Sequence, residues 1–329
     1  RLSWLLLTSS MLFSVLDLFM PVLYPGIHQM NDSNMVAQAV PDRDHELSAL
    51  EDAASQALEH ACRLGADSAE VSANAHQGLD VNVRMGEVET LEFSRDHGLG
   101  ISVYIGFSKG HASSGDLRHD SIRECVEKAI DIARFTEADK CNGLAPADRM
   151  AQEIPDLDLW HPTALDAESA MERALACESA GLENDGISNS DGASSSANFG
   201  LNVYANSAGF SGRRDGTRYG QSCVLIAGEG ETMQRDYWYD SRRAFDDLED
   251  VGITGREAAH RTLRRLGARQ VPTCEAPVLF APEMACGLVN HLVAAVSGGA
   301  LYRNSTFLKD AAGQQLFPEW MRISERPHI

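Results

Sequence analysis

Leu79-Asp80-Val81-Asn82-Val83-Arg84-Met85-Gly86-Glu87-Val88-Glu89-Thr90-Leu91-Glu92-Phe93 decides the fold, together with Leu99-Gly100-Ile101-Ser102-Val103-Tyr104-Ile105 just after it. Leu79, Val81 and Val83 alternate with polar residues, the period of a half-buried strand. Met85-Gly86-Glu87 reads as a turn, and residues 88–93 as a strand coming back beside the first. Asp96-His97-Gly98 reads as a break, after which Leu99, Ile101, Val103 and Ile105 alternate again. Residues 106–110 form another turn, and a fourth strand begins at His111. The reading predicts an antiparallel sheet over residues 79–85, 88–93 and 99–105, with Val81, Val83, Ile101 and Val103 facing a core.

Helical spacing flanks this region. Leu47, Leu50, Ala54, Leu58 and Ala61 recur along one face, and Gly65 follows as a stop. Ser121-x-x-Glu124 reads as a capping box that opens a helix carrying Ile122, Cys125, Val126, Ala129, Ile130 and Ala133. Both helices are expected on one face of the sheet, an α+β arrangement.

Residues 141–162 hold Pro146, Pro155 and Pro162 and read as a linker. A helix is expected over 166–182, and a Ser, Gly and Asn-rich loop over 185–197. Strands follow around Leu201 and Val203, over 219–227 and over 233–239. A helix over 257–266 ends before Gly267. Val278-Leu279-Phe280 reads as a short buried strand, and residues 284–297 as an apolar helix closed by Gly298-Gly299. The expected organisation is an apolar leader outside the fold (1–40), an N-terminal α+β domain (41–145), a mixed α/β middle domain (146–270) and the truncated start of a β-rich C-terminal domain (271–329).

The 329 residues carry 48 acidic and 28 basic side chains, a formal net charge of −20. Such a surface repels phosphate backbones and anionic membranes, so no direct nucleic-acid or membrane partner is expected. Solubility accounts for the acidity, with steering of basic or unfolded peptides as the second reading. Seven cysteines, with no Cys-x-x-Cys among them, suit free thiols in a reducing cytoplasm. The apolar stretch 4–24 is interrupted by Asp17 and Pro21. It reads either as sequence upstream of a start at Met30 or Met35, making few contacts with the folded body, or as a membrane segment.

Chemistry-bearing motifs are sparse. His45-Glu46 stands alone, because Ala49 and Leu50 occupy the positions where a second zinc-binding His would fall. His291, next to Asn290, lies in the apolar run of residues 287–295 with no carboxylate or second His within a turn, which favours a hydrogen-bonded core or interface histidine. Gly-x-Ser-x-Gly is absent, and Ser113-Ser114-Gly115 and Ser194-Ser195-Ser196 read as turn or loop. Half-buried strand packing is the favoured reading of the aromatics beside Arg235, with Arg235, Tyr237 and Tyr239 as a peptide-contacting strand the second. From the residues alone the chain is a multidomain α+β protein with no self-contained active site.

Several segments together resemble the TldD/PmbA family on its PmbA (TldE) side. They include Val81-Asn82-Val83-Arg84-Met85-Gly86-Glu87-Val88-Glu89, Gly98-Leu99-Gly100-Ile101-Ser102-Val103-Tyr104, Met233-Gln234-Arg235-Asp236-Tyr237, and Gly298-Gly299-Ala300-Leu301-Tyr302-Arg303-Asn304-Ser305. The resemblance covers residues 47–329 in order. It implies a subunit of a TldD–TldE heterodimer, a zinc metallopeptidase acting on extended or unfolded peptides. In that family the TldD-like subunit carries His-Glu-x-x-x-His on the helix corresponding to residues 284–297. Here that region reads Asn290-His291-Leu292-Val293-Ala294-Ala295. The resemblance therefore implies zinc in the TldD-like partner, no zinc on this chain, and no catalytic residue in it, with Asn290 and His291 marking the site region. It also implies that the C-terminal domain continues beyond Ile329. Such proteins are also called modulators of DNA gyrase, so a non-proteolytic regulatory protein acting through protein contacts is the alternative.

Overall fold

The computed structural model describes residues 40–151 and 153–327, so the reading of stretch 4–24 falls outside it. Two long hairpins organise the chain. The first joins β1 (Ser68–Arg84) to β2 (Glu87–Ile105). Its tip is Met85-Gly86, with φ of 53° and 80°. Two consecutive positive φ angles are what a type I′ hairpin turn requires. After the short β3 (Ser108–Ser114), a second hairpin joins β4 (Ile187–Asn206) to β5 (Ser211–Ala227), and β6 (Gln234–Arg242) follows. All six strands form one antiparallel sheet in the order β3-β2-β1-β4-β5-β6. β1 and β4 join the hairpins in an unbroken register from Glu70↔Asn206 to Val83↔Ala193. The segments on either side of the proline-bearing stretch therefore share one sheet.

Four helices cover one face of it: α1 (Arg43–Arg63), α2 (His119–Phe135), α3 (Ala167–Leu182) and α4 (Val251–Leu263). Gly78 aside, the buried positions of β1 are odd-numbered, including Val71, Ala73, Leu79, Val81 and Val83, so their side chains point the same way. α1 and α2 pack on Val71, Leu99, Ile101, Val103, Leu201 and Val203. Beyond them α3 and α4 pack on Leu79, Val81, Val83, Tyr219, Cys223 and Leu225. Val81, Val83, Ile101 and Val103 are all fully buried, as the alternation predicts. Each such side chain contributes roughly 1.5–3 kcal/mol on burial. Only Ile101 and Val103 meet α1 and α2, however, and the other two lie under α3 and α4.

Several expectations are corrected. β2 runs straight through Asp96-His97-Gly98, paired to β1 throughout. Residues 187–197, expected as a loop, are the first half of β4, and Ser194-Ser195-Ser196 lies within it. β5 pairs along this stretch and β1 joins it from Ala193 on, and these backbone bonds outweigh the weak strand propensity of Ser, Gly and Asn. Ser113 and Ser114 likewise belong to β3. The capping box does not form: α2 starts at His119, and Ser121 Oγ donates instead to Asp116 Oδ2 at 2.7 Å. Val278-Leu279-Phe280 is neither strand nor buried, since Leu279 is 97% exposed. The described part of the C-terminal region is helical, with α5 (Pro282–Val296) and α6 (Gly298–Tyr302) and no strand among the described residues.

α1 begins on Asp42, whose side chain accepts from the His45 N–H at 3.1 Å. Glu46, in its first turn, meets Arg95 and His97 of β2, with His97 Nε2 3.3 Å from Glu46 Oε2. Burial pushes the Glu46 carboxyl up, but the hydrogen bonds and charges of His97 and Arg95 outweigh this and hold it below its ordinary range. A depressed folded pKa contributes stability that is complete above the unfolded value of about 4.3 and is lost as the pH falls through the folded one. The stability gap between wild type and Glu46→Gln is therefore expected to be open at pH 7 and to close below about pH 4 in urea titrations. A gap that is constant down to pH 3 would show that the ionised carboxylate is not its source.

Candidate functional site

α5 starts with Pro282 at its first turn, which suits the fixed proline φ. Of its residues only Ala295 is buried. Glu283 accepts from Arg261 of α4 at 3.1 Å, and Thr306 Oγ donates to the Ala295 carbonyl at 2.6 Å. Met284, Leu288 and Val293 face outwards. Asn290 and His291 are exposed too, so of the two readings of His291, core or interface, the core one is corrected. The reason is that no described element packs on the apolar side of α5.

A hydrolytic zinc ion needs about three protein ligands and a carboxylate near its water. α5 offers His291 and Cys286, which five helical residues turn about 140° apart. Glu283, its first-turn carboxylate, is held by Arg261. No three His, Cys, Asp or Glu side chains converge among the described residues. The donors present on this helix do not fit a zinc ion.

The other candidates lie on β6, at the far edge of the sheet. Tyr237 and Tyr239 stand opposite Val224 and Ser222, on the face without helices. Their rings lie side by side, with centroids 6.2 Å apart and planes inclined by 24°, and both are about half exposed. Arg235 Nε donates to Asp191 Oδ2 at 2.7 Å. Trp238, between the tyrosines, points the other way. It donates to Glu249 Oε1 at 3.0 Å and lies under the Arg261 guanidinium. Strand alternation thus separates a packing residue from two solvent-facing phenols. No strand pairs with the outer side of β6 among the described residues.

Elsewhere the helix-free face is polar, with exposed Ser72, Asn74, His76 and Asn202. The Tyr104 and Tyr204 hydroxyls both donate to Glu70, at 2.8 and 3.0 Å. Burial, with the Glu70 bond added, pushes the Tyr104 phenol well up, so it stays protonated. Ser102 Oγ and His111 Nδ1 are 3.2 Å apart. Among the described residues no carboxylate bonds to that ring, so there the pair lacks the group that would orient a general base. These clusters join residues distant in sequence, and only the strand register could have shown them. Among the described residues the face offers hydrogen bonds, aromatic contact and unpaired backbone edges, and no assembled nucleophile.

Fold and site together define a two-layer α+β protein, with a six-stranded antiparallel sheet that carries helices on one face and a polar, partly aromatic surface on the other. The sequence matches three domains of one family: PmbA/TldA metallopeptidase domain 1 over residues 69–133, its central domain over 160–266 and its C-terminal domain over 273–329. The chain belongs to the PmbA/TldD family. It is 43% identical over 281 residues to the metalloprotease PmbA homolog of Haemophilus influenzae and 44% identical over 281 residues to metalloprotease PmbA of Escherichia coli O157:H7. Each match covers 85% of this chain and 62% of the relative, so the chain spans less than two thirds of their length. A Bacteroides thetaiotaomicron protein described as a candidate modulator of DNA gyrase superposes with a TM-score of 0.73 at 26% identity, over 79% of this chain and 60% of that one. TldE from Thermococcus kodakarensis shares the fold, with a TM-score of 0.62 at 17% identity over 78% of this chain and 58% of its own. No helix among the described residues is long and apolar enough to cross a membrane.

Proposed function

We propose that this chain is the non-catalytic, PmbA/TldE-like subunit of a cytoplasmic zinc metallopeptidase, and that a TldD-like partner holds the zinc and cuts extended or unfolded peptides. The observation that carries this reading is the donor set of α5. It lies in the region matched by the family's C-terminal metallopeptidase domain, yet presents Asn290 and His291 without a carboxylate or second imidazole beside them. Zinc would supply Lewis-acid activation of water in the partner. This chain's share is to bind and orient: Tyr237, Tyr239 and Arg235 line a free strand edge where main-chain hydrogen bonds can hold an extended peptide.

The test is reconstitution. The purified full-length protein, a TldD-like partner and their mixture are assayed for zinc content and for cleavage of an unfolded substrate. Zinc and cleavage are expected with the partner, and cleavage is expected to rise on adding this subunit. Stoichiometric zinc in the isolated subunit, lost with its activity in His291→Ala, would falsify the proposal. Complex formation without any cleavage would favour the regulatory reading instead.

A further inference from the structure

Among the described residues no strand pairs with the outer edge of the first half of β2, and its residues 87–93 are exposed on both faces. β3 pairs with β2 only from Leu99↔Ser114 to Ile105↔Ser108, which leaves residues 87–97 without an outer strand among the described residues. Residues 87–93 are exposed one after another. Their cross-strand partners sort them by face. Val88, Leu91 and Phe93 stand opposite Val83, Val81 and Leu79, on the helix-bearing face but beyond the cover of α3, and are 44%, 43% and 46% exposed. Glu87 and Glu92 stand opposite Arg84 and Asp80, on the other face. The strand is therefore apolar on one side and acidic on the other.

The acidic side is left short of cations. Arg84, which lies 4.0 Å from Glu89, also donates to the Ser190 carbonyl, and Arg95, opposite Gln77, lies on the helix-bearing face with Glu46. Glu92 directly faces Asp80, a like-charge pair that destabilises a sheet. Burial pushes the Asp80 carboxyl above its ordinary range, and Glu92 adds to this although Asn82 donates to Asp80 at 2.7 Å.

We infer that this edge is a docking strand for an extended segment of unfolded polypeptide in which apolar residues alternate with Lys or Arg. Such a segment would pair with the free backbone of residues 87–97, lay its apolar side chains beside Val88, Leu91 and Phe93, and set its cations against Glu87, Glu92 and Asp80. Acidic side chains on an open edge exclude strands of like charge while admitting a basic one. That argument also disfavours a second copy of this chain, whose edge would set glutamates against glutamates. The inference is independent of the proposed subunit role, since docking needs neither zinc nor cleavage.

The experiment uses the full chain and a labelled peptide of about ten alternating Lys and Val residues, the span of the free edge. Binding is followed by fluorescence anisotropy at low salt and by amide hydrogen exchange. The basic peptide is expected to bind and to slow exchange at residues 87–97, and a Glu-Val peptide is not. Affinity is expected to fall at least about tenfold in Glu87→Lys/Glu92→Lys and in Leu91→Ser/Phe93→Ser. The substituted side chains are exposed, and circular dichroism would confirm the fold of both variants. Absence of binding at millimolar peptide, unchanged affinity in both variants, or protection on β6 instead overturns the inference. So does self-association of the chain that Leu91→Ser/Phe93→Ser abolishes, which would assign the edge to a second copy. None of these outcomes bears on reconstitution with the TldD-like partner.

Discussion

Gly255→Ala is expected to destabilise the protein by about 3–5 kcal/mol, which lowers Tm by roughly 10 °C for a domain of this size. Gly255 lies in α4 where it crosses α3. A methyl group there would stand 2.0 Å from the Cys177 carbonyl oxygen and 3.0 Å from the Gly181 nitrogen, both backbone atoms. Helix propensity alone argues for the opposite sign, since Ala favours a helix interior over Gly by about 1 kcal/mol. The contact wins because two helix backbones must separate by more than a flexible side chain could absorb. Separation would loosen both from Tyr219, Cys223 and Leu225 beneath. Gly287→Ala is the control. Among the described residues, no atom beyond its chain neighbours and the backbone of its own helix lies within 4 Å of the added methyl, so the propensity gain should appear unopposed. Gly110→Ala should resemble Gly255→Ala, because its methyl would stand 1.9 Å from the Ala129 carbonyl of α2. Urea denaturation of the three variants checks the ordering. Equal stability of Gly255→Ala and Gly287→Ala would show that the helices do not touch as described.

The second large effect is expected at Glu178. This carboxylate of α3 is 1% exposed and accepts from the backbone N–H groups of Met85 and Gly86, at 2.9 and 2.8 Å. It thereby clamps the tip of the β1–β2 hairpin to the helix layer. Hydrogen bonds to a charged acceptor are worth about 1.5–3 kcal/mol each, and the methylenes of Glu178 fill core space besides. Glu178→Ala is expected to cost about 3 kcal/mol and to speed amide exchange at residues 80–93. Glu178→Gln keeps one acceptor but turns an amide N–H towards a backbone N–H, so about half that loss is expected. If the alanine variant lost stability without faster exchange at the hairpin, the residue would be a packing element and not a clamp.

Much of the fold was legible because its signals are local. Alternation at residues 79–83 and 99–105 and helical spacing at 47–61 and 122–133 name the elements whatever they pack against. The Met85-Gly86 turn is equally local, since only two residues bring β2 back beside β1. The first half of β4 was not legible, because its strand state rests on β1 and β5 and not on Ser194, Ser195 or Ser196. The straight run of β2 through Gly98 and the failed capping box at Ser121 have the same origin: a neighbour, β1 or Asp116, supplied the deciding bond.

The candidate site divides the same way. That α5 lacks a zinc-binding pattern around Asn290 and His291 is a property of spacing along one helix, so the sequence alone determined it. The exposure of His291, the outward stacking of Tyr237 on Tyr239, the convergence of Tyr104 and Tyr204 on Glu70, and the bare acidic–apolar edge of β2 were decided only by the tertiary structure. Each depends on which strand lies beside which and where the helix layer ends. A strand's own period says that it has two faces, but only packing of segments far apart in the chain settles which face is covered and which edge is left open.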